Sequence, residues 1–154
     1  MDEERVEQYR NLLNKEWIPE DAGEYADGLT KIIRRIPDGY GRWIGCGPGW
    51  YPLIIELDEK IAEIAPNYVV AQVKEKFGTL RYYFSVYGDE TAKYDEVDSI
   101  IDEYEARSGT ICELCGADGE MKVRRYWYQT LCSECAEKNG YEDIPAKKGE
   151  NSER

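Results

Sequence analysis

Histidine is missing altogether from this chain of 154 residues. Its absence removes every mechanism built on an imidazole: Ser-His-Asp and Cys-His nucleophiles, H-E-x-x-H zinc proteases and the His-ligated zinc of nucleobase deaminases. Acid–base chemistry would fall to Asp, Glu, Lys, Tyr or Cys, so the chain reads as a binding protein and not as an enzyme. No apolar run is long enough to span a bilayer. The opening MDEERVEQYRN is acidic and lacks the apolar stretch of a secretory signal. The expectation is a cytoplasmic protein with no membrane partner. Positive charge is scarce as well, with 20 Lys+Arg against 32 Asp+Glu and a net charge of −12. Residues 1–107 carry −10 of this and residues 108–154 only −2. Such a chain is repelled by a phosphate backbone outside a local basic patch, which favours a protein partner over nucleic acid. Phe is nearly absent, with two against thirteen Tyr and four Trp. Tyr and Trp carry polar tips that suit half-buried surfaces and interfaces.

What the chain does contain is periodic. DEERVEQYRNLLNKEW places Val6, Tyr9, Leu12, Leu13 and Trp17 at helical spacing, and EYADGLTKIIRRIP does the same with Tyr25, Leu29, Ile32, Ile33 and Ile36. A glycine-rich segment, DGYGRWIGCGPGW, runs into a third helix striped by Leu53, Ile54, Leu57, Ile61 and Ile64. YVVAQVKEKF and TLRYYFSVY alternate like strands, with Gly78 at the turn of a β-hairpin. Leu80, Tyr82, Phe84 and Val86 fall on one face, and Arg81, Tyr83 and Ser85 on the other. A fourth helix follows, with Tyr94, Val97, Ile101 and Tyr104 along its stripe and eight carboxylates crowded into 89–105. The fold class is α+β: helices on a hairpin or small antiparallel sheet, followed by a C-terminal module. The expected divisions are an acidic domain over 1–107, a zinc-binding module over 108–141 and a polar, disordered tail over 142–154.

Four of the five cysteines stand at 112, 115, 132 and 135, two C-x-x-C pairs separated by sixteen residues. This spacing is that of a tetrahedral thiolate site for one Zn²⁺. With Cys112, Cys115, Cys132 and Cys135 filling all four positions, the site is closed and structural. A module of roughly 40 residues has too little core to fold without such a staple. Gly116 after the first pair, a β-prone MKVRRYWYQTL and a short helical segment from the second pair resemble a treble clef. Lys122, Arg124, Arg125, Tyr126, Trp127 and Tyr128 mix cations with aromatics, the composition that single-stranded nucleic acid would use. The plainer expectation is that the aromatics pack inward and the cations face water.

The loop GCGPGW has the look of an anion-binding turn ahead of a helix, but it lacks the pattern of a P-loop. Cys46 within it is expected to be a small buried residue of a tight turn; with no base beside it, it makes a poor nucleophile. Glu56, Asp58, Glu59 and Glu63 are expected on a solvated helix face.

Three segments carry a resemblance: GCGPGWYPLIIELDEKIAEI, VVAQVKEKFGTLRYYF and CELCG with YQTLCSECA. In them the chain is similar to uncharacterised proteins of bacteriophages and prophage-bearing bacteria. Those proteins have a G-x-G-W-x-P-L helix, a V-K-E-K-F-G-x-L-R strand pair and a C-terminal C-x-x-C-G…T-L-C element. The likeness spans roughly residues 40–138 and is most specific from Val73 to Arg81. Many of those relatives have histidine as the last ligand, where this chain has Cys135. The resemblance implies zinc binding and a phage context but carries no activity. It points to a host or phage protein as partner, met in the host cytoplasm, with inhibition or imitation of the charge of DNA as the mode. A small-molecule substrate is not expected. The contact residues expected are Lys74, Lys76, Arg81 and Tyr83 of the hairpin, the acidic helix, and Arg124, Arg125 and Trp127 of the zinc module. A nucleic-acid-binding zinc finger using residues 122–128 is the alternative.

Overall fold

The computed structural model describes residues 2–145. It is a mixed α/β fold with five α-helices and small sheets among those residues, the hairpin sheets antiparallel. The helices are α1 (Glu3–Asn14), α2 (Ala26–Ile33), α3 (Tyr51–Ile64), α4 (Tyr94–Ser108) and α5 (Ser133–Lys138). The strands are β1 (Glu16–Trp17), β2 (Arg42–Trp43), β3 (Val69–Lys76), β4 (Thr79–Ser85), β5 (Glu120–Arg124), β6 (Trp127–Leu131) and β7 (Glu142–Asp143). No described helix is long and apolar enough to cross a membrane.

The main core lies where α2, α3 and α4 pack around the β3–β4 hairpin. Leu29, Ile32, Ile33, Leu57, Ile61, Val97 and Ile101 project from the helices onto Val70, Val73, Leu80 and Tyr82. The apolar stripes of α2, α3 and α4 thus face inward as the 3.6-residue period requires. α1 departs from this. It starts well, with the Asp2 carboxylate accepting the Arg5 N–H at 2.8 Å, yet it buries none of its residues, and Tyr9 and Leu12 lie exposed. Its apolar stripe is weaker than that of α2, set in a mostly charged and polar helix, and only Val6 and Leu13 of it are half-buried.

The hairpin has the expected faces, with one interruption. Register passes from Val70–Phe84 to Gln72–Tyr83, leaving Ala71 as a bulge. The bulge shifts the alternation by one, so that Val70 and Val73 both point into the core. β2 extends this sheet sideways. Gly45, two residues beyond it, donates its N–H to the Val73 carbonyl and accepts the Glu75 N–H, both at 2.9 Å. β1 runs parallel to β2, and this two-stranded pair joins the β3–β4 hairpin through the single bridge between Gly45 and Lys74.

Two expectations about charge need correction. Asp58 is not on a solvated face: it is buried, bonded to the Tyr68 hydroxyl and to Arg35 Nε at 2.7 Å. The Tyr82 hydroxyl continues the chain to Tyr68 at 2.6 Å. Burial first, then the neighbouring Tyr82 and Asp58, hold the Tyr68 hydroxyl far above its ordinary pKa. The second correction concerns the tail. Glu142 and Asp143 are not disordered but form β7 against β5. The physical reason is Lys122, which is buried and draws its Nζ to Asp143 at 2.5 Å and to Glu120 at 3.0 Å. The remainder of the expected tail, 146–154, lies outside the described residues.

Candidate metal centre

The four sulfurs converge by local geometry. Cys112 through Gly116 form a tight turn in which the Gly116 N–H donates to the Cys112 carbonyl at 2.9 Å, with Gly116 at φ 84. Cys132 caps the N-terminus of α5, its sulfur accepting the Cys135 N–H at 3.4 Å. The β5–β6 hairpin brings the two pairs together. All four Sγ atoms lie within 4.8 Å of one another, and Cys115 and Cys132 are 3.6 Å apart. A tetrahedral zinc with Zn–S of about 2.3 Å needs sulfurs about 3.8 Å apart, so the donor set fits one such ion. No pair is disulfide-bonded. Burial opposes ionisation of Cys112, but backbone hydrogen bonds from Cys132, Cys115 and Leu114 outweigh it and lower the thiol to about 7. The four cysteine sulfurs together could hold one metal ion, and the all-sulfur donor set suits zinc.

The cage is seated on the main core by a residue that sequence periodicity does not single out. Glu113, between the first two cysteines, is buried. Its carboxylate accepts the Gly47 N–H at 2.9 Å and the Gln129 side-chain amide at 3.1 Å. Its backbone carbonyl accepts the Gly49 N–H at 2.7 Å. The glycine-rich loop thus does bind an anion, and the anion is the protein's own. Burial pushes the Glu113 carboxyl above the usual carboxylate range, against the lowering effect of the Gly47 and Gln129 donors. Trp50, fully buried at the end of the loop, donates its indole N–H to the Ile111 carbonyl at 2.8 Å. The signal in the sequence was the pair of glycines flanking Pro48, but nothing local names their partner 66 residues away.

Gly49 is where this seat is tightest. A Cβ there would stand 2.0 Å from the Cys112 carbonyl oxygen and 2.6 Å from the Gly116 nitrogen. Both are backbone atoms and cannot rotate aside. Gly49→Ala is expected to destabilise the protein by about 3 kcal/mol, the upper part of the overpacking range, read as a lower urea midpoint. An unchanged midpoint would mean that the knuckle is not held against the loop.

Cys46 lies in the same loop, packed against the main core. Its thiol is raised well above its ordinary value by burial, then by Glu113 and Asp21. That removes this thiol as an activated nucleophile.

The remaining contact residues separate into two surfaces. Arg124, Arg125 and Trp127 cluster at the β5–β6 turn. Contrary to the expectation of inward packing, Tyr126 and Trp127 are 93% and 70% exposed, and Tyr128 is exposed too. The strand is too short to lay its tip on the body, and α5 occupies only its base. Lys122 is not part of this tip, being buried with Asp143. Arg124 donates to the Asn139 carbonyl at 2.8 Å and stacks over Tyr141, while Arg125 sits at φ 57 in the two-residue turn. Lys74, Lys76, Arg81 and Tyr83 lie elsewhere, on the outward face of the β3–β4 hairpin. Compared with protein-family models, with curated proteins and with solved structures, the chain matches none.

Proposed function

We propose that this is a non-enzymatic binding protein in which one zinc ion closes a treble-clef-like module, and that the module presents its hairpin tip to a protein partner. The order of cysteine turn, hairpin and cysteine-capped helix supports the treble clef. The observation that carries the partner is the tip itself. Tyr126, Trp127 and Tyr128 stand in solvent beside Arg124 and Arg125, and Trp, Tyr and Arg are the residues that dominate binding energy in protein interfaces. Arg125 holds a left-handed conformation that a non-glycine residue adopts at a cost, which keeps the turn tight and its side chains fanned outward. The staple is what makes so small a hairpin rigid enough to bind without a large ordering cost.

The phage resemblance supports a host or phage protein as the partner. Asp95, Glu96, Asp102 and Glu103 lie exposed along α4, a second surface through which imitation of the charge of DNA would act. The alternative, single-stranded nucleic acid at the tip, is favoured by the open rings of Tyr126 and Trp127 beside two cations; the charge of −12 weighs against it.

A photo-crosslinking residue at position 126, followed by mass spectrometry, identifies what the tip touches. Trp127→Ala is then expected to weaken binding of that partner by about thirtyfold or more, as for an interface hot spot, with no change in thermal stability. A partner bound equally well by wild type and Trp127→Ala would remove the tip from the reading. Salt-sensitive oligonucleotide binding lost in Arg124→Glu/Arg125→Glu would replace the protein partner with nucleic acid.

A further inference from the structure

A second surface stands apart from the metal centre. Trp17 and Trp43 are register partners across β1 and β2, and two residues further on Gly45, Lys74 and Arg81 form one row running on to β3 and β4. The opposite face of the same strands carries Ile44, Val73, Leu80 and Tyr82, all in the core. The outward face therefore presents Trp17, Trp43 and Tyr83, which are 44%, 46% and 42% exposed. Gly45 lets the Trp43 ring lie over the strand toward Lys74: a Cβ there would meet the Val73 carbonyl oxygen at 2.9 Å, the Trp43 ring at 3.0 Å and the Lys74 Cβ at 3.1 Å. No side chain stands between the indole and the cations.

The charge on this face is the reverse of the chain's. The outward side chains of its strands include no carboxylate, although the chain carries 32. The nearest, Asp98, Asp102 and Glu105 of α4, line a hollow beside Arg81 and Tyr83 at its edge, so that Lys74 and Lys76 carry the attraction for an anion. Lys74 and Arg81 are directly opposed across the strands, with Lys76 two residues on. Like charges so placed repel, and an anion between them would relieve that repulsion. Among the described residues none of the three joins an ion pair; the cations that do are elsewhere. Arg81 instead donates to the Thr79 hydroxyl and the Leu80 carbonyl.

The geometry points to single-stranded nucleic acid as the ligand of this sheet face. Bases would stack on Trp43 and Tyr83, which lie two strand spacings or roughly 10 Å apart, while phosphates meet Lys74, Lys76 and Arg81. A duplex is a poor fit, since its bases are read by an element that enters a groove and this face is a sheet. The site is distinct from the hairpin tip, and neither depends on the other. Together they would let the protein join a nucleic-acid strand to a protein.

Fluorescence anisotropy of a labelled single strand of about 15 nucleotides, titrated with the zinc-loaded full chain at two salt concentrations, tests this. Binding is expected, and it should weaken with salt. Trp43→Ala and Tyr83→Ala are each expected to raise Kd by roughly 5- to 100-fold, and Lys74→Glu/Arg81→Glu to abolish binding. Lys31→Glu, on the exposed side of α2, should leave Kd unchanged. These side chains lie outside the core, and circular dichroism of each variant checks that the fold is kept. Three outcomes would overturn the assignment: no binding at low salt, binding lost only in tip variants, or a duplex bound more tightly than the strand. Binding of an acidic peptide by the same residues, with none of the oligonucleotide, would give the face to a protein instead.

Discussion

Stripping the metal with a chelator, or replacing Cys112 with serine, is expected to unfold residues 110–141 while α2, α3, α4 and the β3–β4 hairpin stay folded. The module's own cluster of buried apolar residues is only Cys112, Leu131 and Ala136, far too little to offset the ordering of some thirty residues. A zinc ion held there, as proposed above, would supply most of its folding free energy, on the order of 10 kcal/mol in comparable small zinc modules. The main core has a separate and much larger cluster and does not share this dependence. It does lose the seat: the Glu113 bonds to Gly47 and Gly49, the Trp50–Ile111 bond and the Thr130 hydroxyl bond to the Gly78 carbonyl at 2.7 Å. The Trp50 indole N–H is a built-in reporter, because its acceptor is in the segment that would unfold. In an amide–nitrogen correlation spectrum, chelation should shift that indole signal and collapse the dispersion of the module's resonances, and adding zinc should restore both. Thiol titration should then count four metal-protected sulfurs, with Cys46 outside that set. A spectrum unaltered by a strong chelator would sink the staple.

Asp58→Ala is expected to be the most damaging substitution in the main core, at about 3–5 kcal/mol and roughly 10 °C in Tm. The carboxylate is buried, and it is the shared acceptor of the Arg35 guanidinium and the Tyr68 hydroxyl, with Tyr82 next in the chain. Removing it leaves a guanidinium with 19% of its side chain exposed and no counter-charge, and a buried phenol without its acceptor. Arg35 keeps its bond to the Pro66 carbonyl at 3.0 Å, so the loss stops short of unfolding. Arg35→Leu in the Asp58→Ala background should cost far less than the two changes added separately, because the second removes the orphaned charge that the first creates. Urea denaturation of the four proteins of this cycle measures it. Additive losses would mean that the pair is not coupled.

The metal centre was legible because it is local chemistry. Two C-x-x-C pairs and a β-prone spacer of the right length bring four sulfurs together almost wherever the module sits. The hairpin was legible for a similar reason, since period-two alternation reports which side chains share a face. It failed only at Ala71, where one extra residue resets the phase. The stripes of α2, α3 and α4 followed the same logic and face the core, except that Tyr94 at the start of α4 stays exposed while it stacks on Phe84.

Periodicity states which residues share a face, not whether anything covers that face. α1 and α2 both have apolar residues at helical spacing, yet only the more apolar α2 is covered, because burial needs a partner that the rest of the chain must supply. Asp58 shows the converse. A carboxylate on a helix reads as solvated until Arg35, 23 residues earlier, and Tyr68 arrive to satisfy it. The Gly47–Gly49 loop and Glu113 are meaningful only together, and the bulk of the chain separates them. The outward sheet face exists only because Gly45 bridges to Lys74 of β3, placing Trp17 and Trp43 one row from Lys74 and Arg81. By itself the sequence determined the elements, the sulfur cage and the charge, which depend on neighbours a few residues apart. Only the tertiary structure decided which apolar stripe meets water, which carboxylates are buried and which side chains combine into a surface, because burial and pairing depend on residues that folding brings from far along the chain.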